Sequence, residues 1–195
     1  MTFLDYYLNL YKEVGENPSL VSDKGIRHSY IQDYYSDLFT PLKNENLTIV
    51  EIGIYQGQSM TLLRDWFVNS KIVGIDNFNW PNVSEEQINK IEGITVIKGD
   101  AYNKKIADKF EDESIDIIID DGSHFISNQI QFIELYYPKI KKGGVLIVED
   151  VYDIDKDRDK FEQLGLEHTV YDLRSNRQRE NLNGYNDNVL VIFKK

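Results

Sequence analysis

Apolar positions recur along this chain in two rhythms, one helical and one strand-like. Residues 2–14 place Phe3, Leu4, Tyr7, Leu8, Leu10, Tyr11 and Val14 at mostly helical spacing, and Gly15, Asn17 and Pro18 close that helix. Residues 30–39 predict a second helix ahead of Pro41. From residue 47 short apolar runs rich in branched residues alternate with amphipathic stretches. Strands are predicted at 47–54, 71–76, 93–100, 114–122 and 143–150, with helices at 58–69, 84–93, 103–110, 127–140 and 156–164 between and after them. The isoleucines of 114–122 mark that strand as the sheet centre. Two last strands, 167–174 and 188–195, are expected to pair antiparallel across a long loop. The expectation is an α/β fold: a Rossmann-like, doubly wound, mostly parallel seven-stranded sheet with an antiparallel C-terminal pair and an N-terminal helical extension. Residues 1–195 read as one domain, with 1–45 as the helical cap and 46–195 as the core.

Charge and composition narrow the partners. The chain has 33 acidic and 22 basic residues and a formal charge of -11, which disfavours a nucleic-acid partner. Mean hydropathy is -0.46, and no apolar run approaches the roughly 20 residues that cross a bilayer, so no membrane partner is expected. The start of the chain does not read as a signal peptide, and a cytoplasmic protein is the expectation. Cysteine is absent, which excludes disulfides, thiolate metal sites and cysteine nucleophiles. The tyrosines of the N-terminal helices, Tyr6, Tyr7, Tyr11, Tyr34 and Tyr35, suit core packing or a subunit interface, so a homo-oligomer is compatible with them.

In open α/β sheets, ligands bind beyond the carboxyl ends of the strands. Acids stand at or just past those predicted ends: Glu51, Asp76, Asp100, Asp120, Asp121, Glu149 and Asp150. Gly53 and Gly57 follow the first strand and permit close approach of a ligand to the backbone. A dinucleotide site calls for a third glycine that this turn lacks, which argues against a nicotinamide-dependent oxidoreductase.

The order Glu51-x-Gly53-x-x-x-Gly57, followed by Asp76 at the end of the second strand, resembles the class I S-adenosylmethionine-dependent methyltransferases. That resemblance implies that Asp76 takes the ribose hydroxyls, Asp100 lies beside the adenine, Gly53 and Gly57 line the methionine end, and Ser59 contacts the methionine carboxylate. Asp121, Glu149 and Asp150 follow the fourth and fifth strands, whose ends lie about 5 Å apart if the strands are neighbours. Three converging carboxylates need a cation, and oxygen donors suit Mg²⁺. His124 falls where it can face the same cavity.

This set is similar to the macrocin-type sugar O-methyltransferases of macrolide biosynthesis. The likeness includes Asp23-Lys24, His28 and Tyr30, the glycine turn, Asp120-Asp121-Gly122-Ser123-His124, Glu149-Asp150, Asp172-Leu173-Arg174 and Asp187-Asn188. It implies Mg²⁺ on Asp121, Glu149 and Asp150, His124 as general base, and Asp120 near the sulfonium of the cofactor. The expected acceptor is a small-molecule sugar or nucleotide sugar. A catechol-like acceptor and a cofactor-binding module without turnover are the alternatives. Tyr30, with His28, either folds over the cofactor or packs, and His168 is expected to be structural. Arg174, Arg177 and Arg179 occupy the long loop and either grip an anionic substrate or are solvated.

Overall fold

The computed structural model describes residues 1–17, 20–81, 83–175 and 187–195. Helix α1 (Phe3–Glu13) starts at a reciprocal cap, in which the Thr2 side chain accepts from Asp5 N and the Asp5 carboxylate accepts from Thr2 N. A π-helical turn (Ile31–Tyr35) then runs directly into α2 (Ser36–Phe39). The remaining elements alternate: β1 (Thr48–Ile52), α3 (Gln58–Trp66), β2 (Lys71–Asp76), α4 (Glu85–Ile88), β3 (Ile94–Lys98), α5 (Lys104–Ala107) and β4 (Ile115–Asp120). They continue through α6 (Ile126–Tyr136), β5 (Ile140–Val148), α7 (Ile154–Glu162), β6 (His168–Asp172) and β7 (Val189–Lys194).

The seven strands form one sheet in the order β3-β2-β1-β4-β5-β7-β6. β1 to β5 are parallel, and β7 runs antiparallel to both β5 and β6. The expected fold class is therefore the observed one, with β4 central. The strand order reverses between β1 and β4, where a doubly wound sheet opens a crevice for ligands.

Side-chain alternation sorts the core into two layers. Ile49, Ile117, Ile119 and Ile147 face α1, α2 and α3, meeting Phe3, Phe39 and Trp66. Val50, Ile118, Leu146 and Val148 face the other way, against Phe132, Ile133 and Tyr136 of α6 and Phe161 of α7. Trp66 is fully buried and donates its indole N–H to Phe39 O at 3.2 Å, pinning the N-terminal helices to the sheet.

Several boundaries differ from the sequence reading. The helices expected over 84–93 and 103–110 are single turns, Glu85–Ile88 and Lys104–Ala107, each capped by the preceding Ser84 or Asn103 side chain. Pro138 ends α6 early in a 3₁₀ turn (Tyr137–Lys139). β5 starts at Ile140, not at 143. Ile115 pairs with Ile140 but Ile117 pairs with Val145, so the Lys141–Gly144 stretch bulges out of the ladder, with Gly143 at φ +84.

Candidate active site

The ends of β1, β4 and β5 are locked side by side past their last ladder residues. Asp121 N donates to Ile52 O at 3.0 Å, Glu149 N donates to Asp120 O at 3.0 Å, and Gly53 N donates to Ile75 O at 3.0 Å. The turn after β1 therefore lies directly against the Asp120-Asp121-Gly122 segment. A Cβ at Gly53 (φ +86) would stand 2.0 Å from the Asp121 carbonyl oxygen, so only glycine fits there. A Cβ at Gly57 (φ +85) would meet Ile91 and Ile88 at 2.7 and 3.0 Å. Both glycines are thus required by the protein's own packing, before any ligand is considered.

Asp121, His124 and Asp150 come together in a partly exposed trio. One ligand atom from each lies within 4.8 Å of the other two. His124 Nε2 is 3.9 Å from Asp121 Oδ1 and 4.0 Å from Asp150 Oδ2. His124 (φ +56) and Asp150 (φ +53) both hold the left-handed backbone region, which costs a non-glycine residue roughly 1–2 kcal/mol. Strain of this kind collects at functional sites. Tyr152 stands beside the histidine, with ring centroids 5.8 Å apart.

Of the three carboxylates expected to converge, Asp121 and Asp150 meet at His124, and Glu149, which is buried, meets Asp121 at the Lys24 ammonium. Glu149 Oε2 accepts from Lys24 Nζ at 2.5 Å, and its Oε1 accepts a short hydrogen bond from the Tyr35 hydroxyl. The Lys24 ammonium also donates to Asp121 Oδ2 at 2.5 Å and lies 3.2 Å from Glu51 Oε1, outside hydrogen-bonding geometry. Glu51 Oε2 accepts from the Ser59 hydroxyl at 2.9 Å, which places Ser59 at the start of α3 as expected.

The N-terminal segment reaches Asp150 as well. Tyr30 donates its hydroxyl to Asp150 Oδ1 at 2.5 Å and to Asp187 O at 3.2 Å. His28 stacks on Tyr30 at 5.3 Å and sets Nδ1 2.9 Å from Asn188 Oδ1 and 3.6 Å from Asp150 Oδ1. Tyr30 and His28 therefore fold over the carboxylates.

Burial and neighbouring charges set the electrostatics. Burial pulls the Lys24 ammonium down, but Asp121, Glu149 and Glu51 outweigh it and hold the charge well above the ordinary lysine range. Burial pushes Glu149 well above the usual carboxylate range against the pull of Lys24, and it raises Glu51 and Asp121 in the same way. Asp150 goes the other way: burial is outweighed by His28, His124 and the Tyr30 hydrogen bond. Burial pushes the Asp120 carboxyl up to about 7, opposed mainly by Tyr102. Three acids, Asp121, Glu149 and Glu51, thus share one buried lysine, with Asp150 and Asp120 beside them at the strand ends.

The remaining sequence-predicted residues line the crevice beside this cluster. Asp76 Oδ2 accepts from Ile54 N at 2.8 Å and Tyr55 N at 3.4 Å, and Oδ1 accepts from Phe78 N at 2.6 Å, so Asp76 staples the glycine turn. Asp100 is exposed and accepts from Tyr102 N at 3.0 Å. Asp120 is buried; its Oδ1 accepts from the Tyr102 hydroxyl at 2.8 Å, and its Oδ2 has no hydrogen-bond partner. Gly57 is the N-cap of α3 and makes no side-chain hydrogen bond to that helix's first amides. His168 lies in β6 against Phe193 and Phe161, away from the site. Arg174 is paired with Asp155 and Asp172, while Arg177 and Arg179 fall outside the described residues.

Lys24, Tyr35 and Tyr102 carry roles that the sequence reading did not give them. Lys24 was visible only as part of the Asp23-Lys24 pair, and Tyr35 only as one of many tyrosines. The signal that could find Lys24 is the crowd of acids at the strand ends, which calls for a buried partner cation.

A family model described as a methyltransferase domain matches residues 50–151. Among relatives, an 8-demethyl-8-(2-methoxy-alpha-L-rhamnosyl)-tetracenomycin-C 3'-O-methyltransferase of Streptomyces olivaceus is 30% identical over 139 residues, 67% of this chain and 34% of that protein. A demethylmacrocin O-methyltransferase of Streptomyces fradiae is 26% identical over 159 residues, 71% of this chain and 38% of that protein. The chain therefore spans between a third and two fifths of the length of these curated relatives. The solved MycE methyltransferase from the mycinamycin biosynthetic pathway, in complex with Mg and SAH, shares the fold at a TM-score of 0.63 and 20% identity, over 95% of this chain and 53% of that one.

Proposed function

The chain belongs to this methyltransferase-domain family, and from that premise we propose that it is an S-adenosylmethionine-dependent O-methyltransferase. In this proposal it uses Mg²⁺ and acts on a hydroxyl of a sugar or glycosylated small molecule. The reading takes the chain as one unit whose first 45 residues cap the core. The observation that carries it is the trio of Asp121, His124 and Asp150 at the β4 and β5 ends, beside the glycine turn of β1. The names of the two relatives above, both O-methyltransferases and one of them of a rhamnosyl compound, support the substrate class.

The residues present fit both groups. Asp121 and Asp150 each turn one carboxylate oxygen into the same corner, oxygen donors suited to a hard dication, with the His124 imidazole beside them as a proton acceptor. Asp120 Oδ2 is buried with no hydrogen-bond partner among the described residues, which suits a cationic sulfonium nearby. The uncapped start of α3 suits a carboxylate.

Bound together, the cofactor would supply an electrophilic methyl group and the dication would make an acceptor hydroxyl more acidic. The chain's own groups do the rest. Asp121 and Asp150 would hold the ion, and His124 Nε2 would take the hydroxyl proton as the new carbon–oxygen bond forms. Glu51, Gly53, Gly57 and Ser59 would seat the methionine end, Asp76 the ribose, and Asp100 the adenine edge. Asp120 would face the sulfonium, and Tyr30 would fix Asp150 from behind.

Transfer of labelled methyl groups to a panel of nucleotide sugars, glycosides and catechols, with Mg²⁺ or with EDTA, tests this. Activity on sugar hydroxyls that EDTA abolishes and Mg²⁺ restores is expected. Full activity in EDTA removes the metal from the reading, and transfer to catechols alone moves the substrate class. His124→Ala should lower turnover by roughly 10²–10⁴ with cofactor affinity nearly unchanged.

A further inference from the structure

Asp120 closes β4 at the point where the strand order reverses, in register with Ile52 of β1 and Val148 of β5. One of its oxygens is held firmly. Oδ1 accepts from the Tyr102 hydroxyl at 2.8 Å and from Gly122 N at 3.2 Å. The same hydroxyl accepts from Ser123 N at 2.9 Å, and Ser123 Oγ accepts from Asn128 Nδ2 at 2.7 Å. Tyr102 is anchored in turn by the loop after β3. Its N donates to Asp100 Oδ1 at 3.0 Å, and the neighbouring Ala101 O accepts from the Tyr136 hydroxyl at 3.0 Å. The packing is tight: a Cβ at Gly122 would stand 2.3 Å from the Tyr102 hydroxyl oxygen and 3.1 Å from Asp120 Oδ1.

The other oxygen is in the opposite condition. Oδ2 is buried and has no hydrogen-bond partner among the described residues. A buried carboxylate oxygen left in this way is costly unless a ligand completes it. Lys24 is committed to Glu51, Asp121 and Glu149, and the donors that reach Asp120 from Tyr102 and Gly122 are neutral.

S-adenosylmethionine carries two positive centres, the α-ammonium and the sulfonium. Methyl transfer breaks the sulfur–methyl bond and leaves the electron pair on sulfur. The product is a neutral thioether whose ammonium is unchanged. A carboxylate beside the sulfur therefore attracts the donor and not the product, whereas one beside the ammonium attracts both alike.

We propose that Asp120 distinguishes the charged methyl donor from its neutral product, with Tyr102 as the positioning residue that ties down Oδ1 so that Oδ2 stays turned to the sulfur. This rests on the cofactor reading above and adds to it a means of product release, since the attraction ends when the methyl group departs.

The test is calorimetric affinity of the full chain for S-adenosylmethionine and S-adenosylhomocysteine at pH 8, without metal or acceptor. Asp120→Asn keeps the shape and can still accept from Tyr102. It should weaken donor binding at least tenfold and move product binding less than threefold, because only the donor loses a charge–charge attraction. Tyr102→Phe keeps the carboxylate and frees Oδ1. It should lower the donor-to-product affinity ratio at least threefold, and adding it to Asp120→Asn should leave the ratio where Asp120→Asn put it. Equal losses for both ligands in Asp120→Asn, the result of a purely structural carboxylate or of one beside the ammonium, would overturn the proposal. An unchanged ratio in Tyr102→Phe would overturn it as well, since a tyrosine that only supported the turn would weaken both ligands together. If Tyr102→Phe does not fold, Asp120→Asn decides alone. Failure of the unmodified protein to bind either ligand would instead remove the cofactor reading itself.

Discussion

Replacing Gly53 with alanine probes the closest approach in the site. Two costs are expected. The first is conformational: alanine at φ +86 loses roughly 1–2 kcal/mol. The second is steric. The new Cβ would lie 2.0 Å from the Asp121 carbonyl oxygen and 2.7 Å from its carbonyl carbon, both backbone atoms that no rotamer change can move. Reaching even 3.0 Å, closer than real Cβ atoms come to such a neighbour, requires the β1 turn and the β4 end to part by about 1 Å, at an overpacking cost of about 1–3 kcal/mol. Gly143→Ala isolates the first cost, since Gly143 has φ +84 and no heavy atom within 4 Å of an added Cβ. At about 2–4 °C per kcal/mol for a chain of this size, Gly53→Ala should lower Tm by about 4–20 °C, and Gly143→Ala by about 2–8 °C. A displacement near 1 Å at Asp121 should also cut methyl transfer by about 10²-fold, while Gly143→Ala leaves it intact. Thermal melts and initial rates on both variants suffice. Equal melting shifts with Gly53→Ala activity within threefold of the unmodified protein would refute the close-approach account.

Other perturbations read the same architecture. Asp120 has a folded-state carboxyl pushed up to about 7 by burial, so between about pH 4 and 7 the folded chain keeps a proton that the unfolded chain has lost. Stability should therefore fall as pH rises through that window, by at most about 4 kcal/mol from this group. In the metal-free protein, Asp120→Asn should gain little at pH 5 and clearly more at pH 8 in urea melts; an equal effect at both pH values would contradict the assignment. Tyr102→Phe removes the hydroxyl that donates to Asp120 and accepts from Ser123 N at 2.9 Å, and should cost about 1–3 kcal/mol by leaving a buried carboxylate oxygen and an amide short of a partner. Trp66→Ala opens the packing under α1 and α2 and should cost about 3–5 kcal/mol by denaturant unfolding; a cost below 1 kcal/mol would show that those helices do not depend on it.

Element alternation and the central place of β4 were legible because buried parallel strands write themselves as branched apolar runs, as in Ile117-Ile118-Ile119. The start of β5 was not, because Lys141-Lys142-Gly143-Gly144 has the composition of a turn and only the partner strand reveals it as a bulge. The site acids were legible from the rule that ligands gather at strand ends, which put Asp121, Glu149 and Asp150 together with His124 facing them; the structure groups Asp121 and Asp150 with His124. Their partners were not. Lys24, Tyr30 and Tyr35 lie in a segment whose local pattern speaks only of helix and packing, and their significance arises from carboxylates a hundred or so positions away. Gly53 and Gly57 were read as room for a ligand; the structure adds that a side chain at Gly53 would strike the Asp121 backbone and one at Gly57 would press on Ile88 and Ile91.

The tie between residues 24–35 and the β4 and β5 ends spans 97 positions from Lys24 to Asp121 and 125 from Lys24 to Glu149, and His28 reaches 160 positions to Asn188. Closing such loops is entropically expensive until the intervening chain is already ordered. The reactive corner should thus be among the last regions to take shape during folding, after the hydrophobic layers have consolidated. A nascent or partly unfolded chain would then carry a formed sheet and an idle centre, which would keep stray chemistry from starting before the molecule is finished.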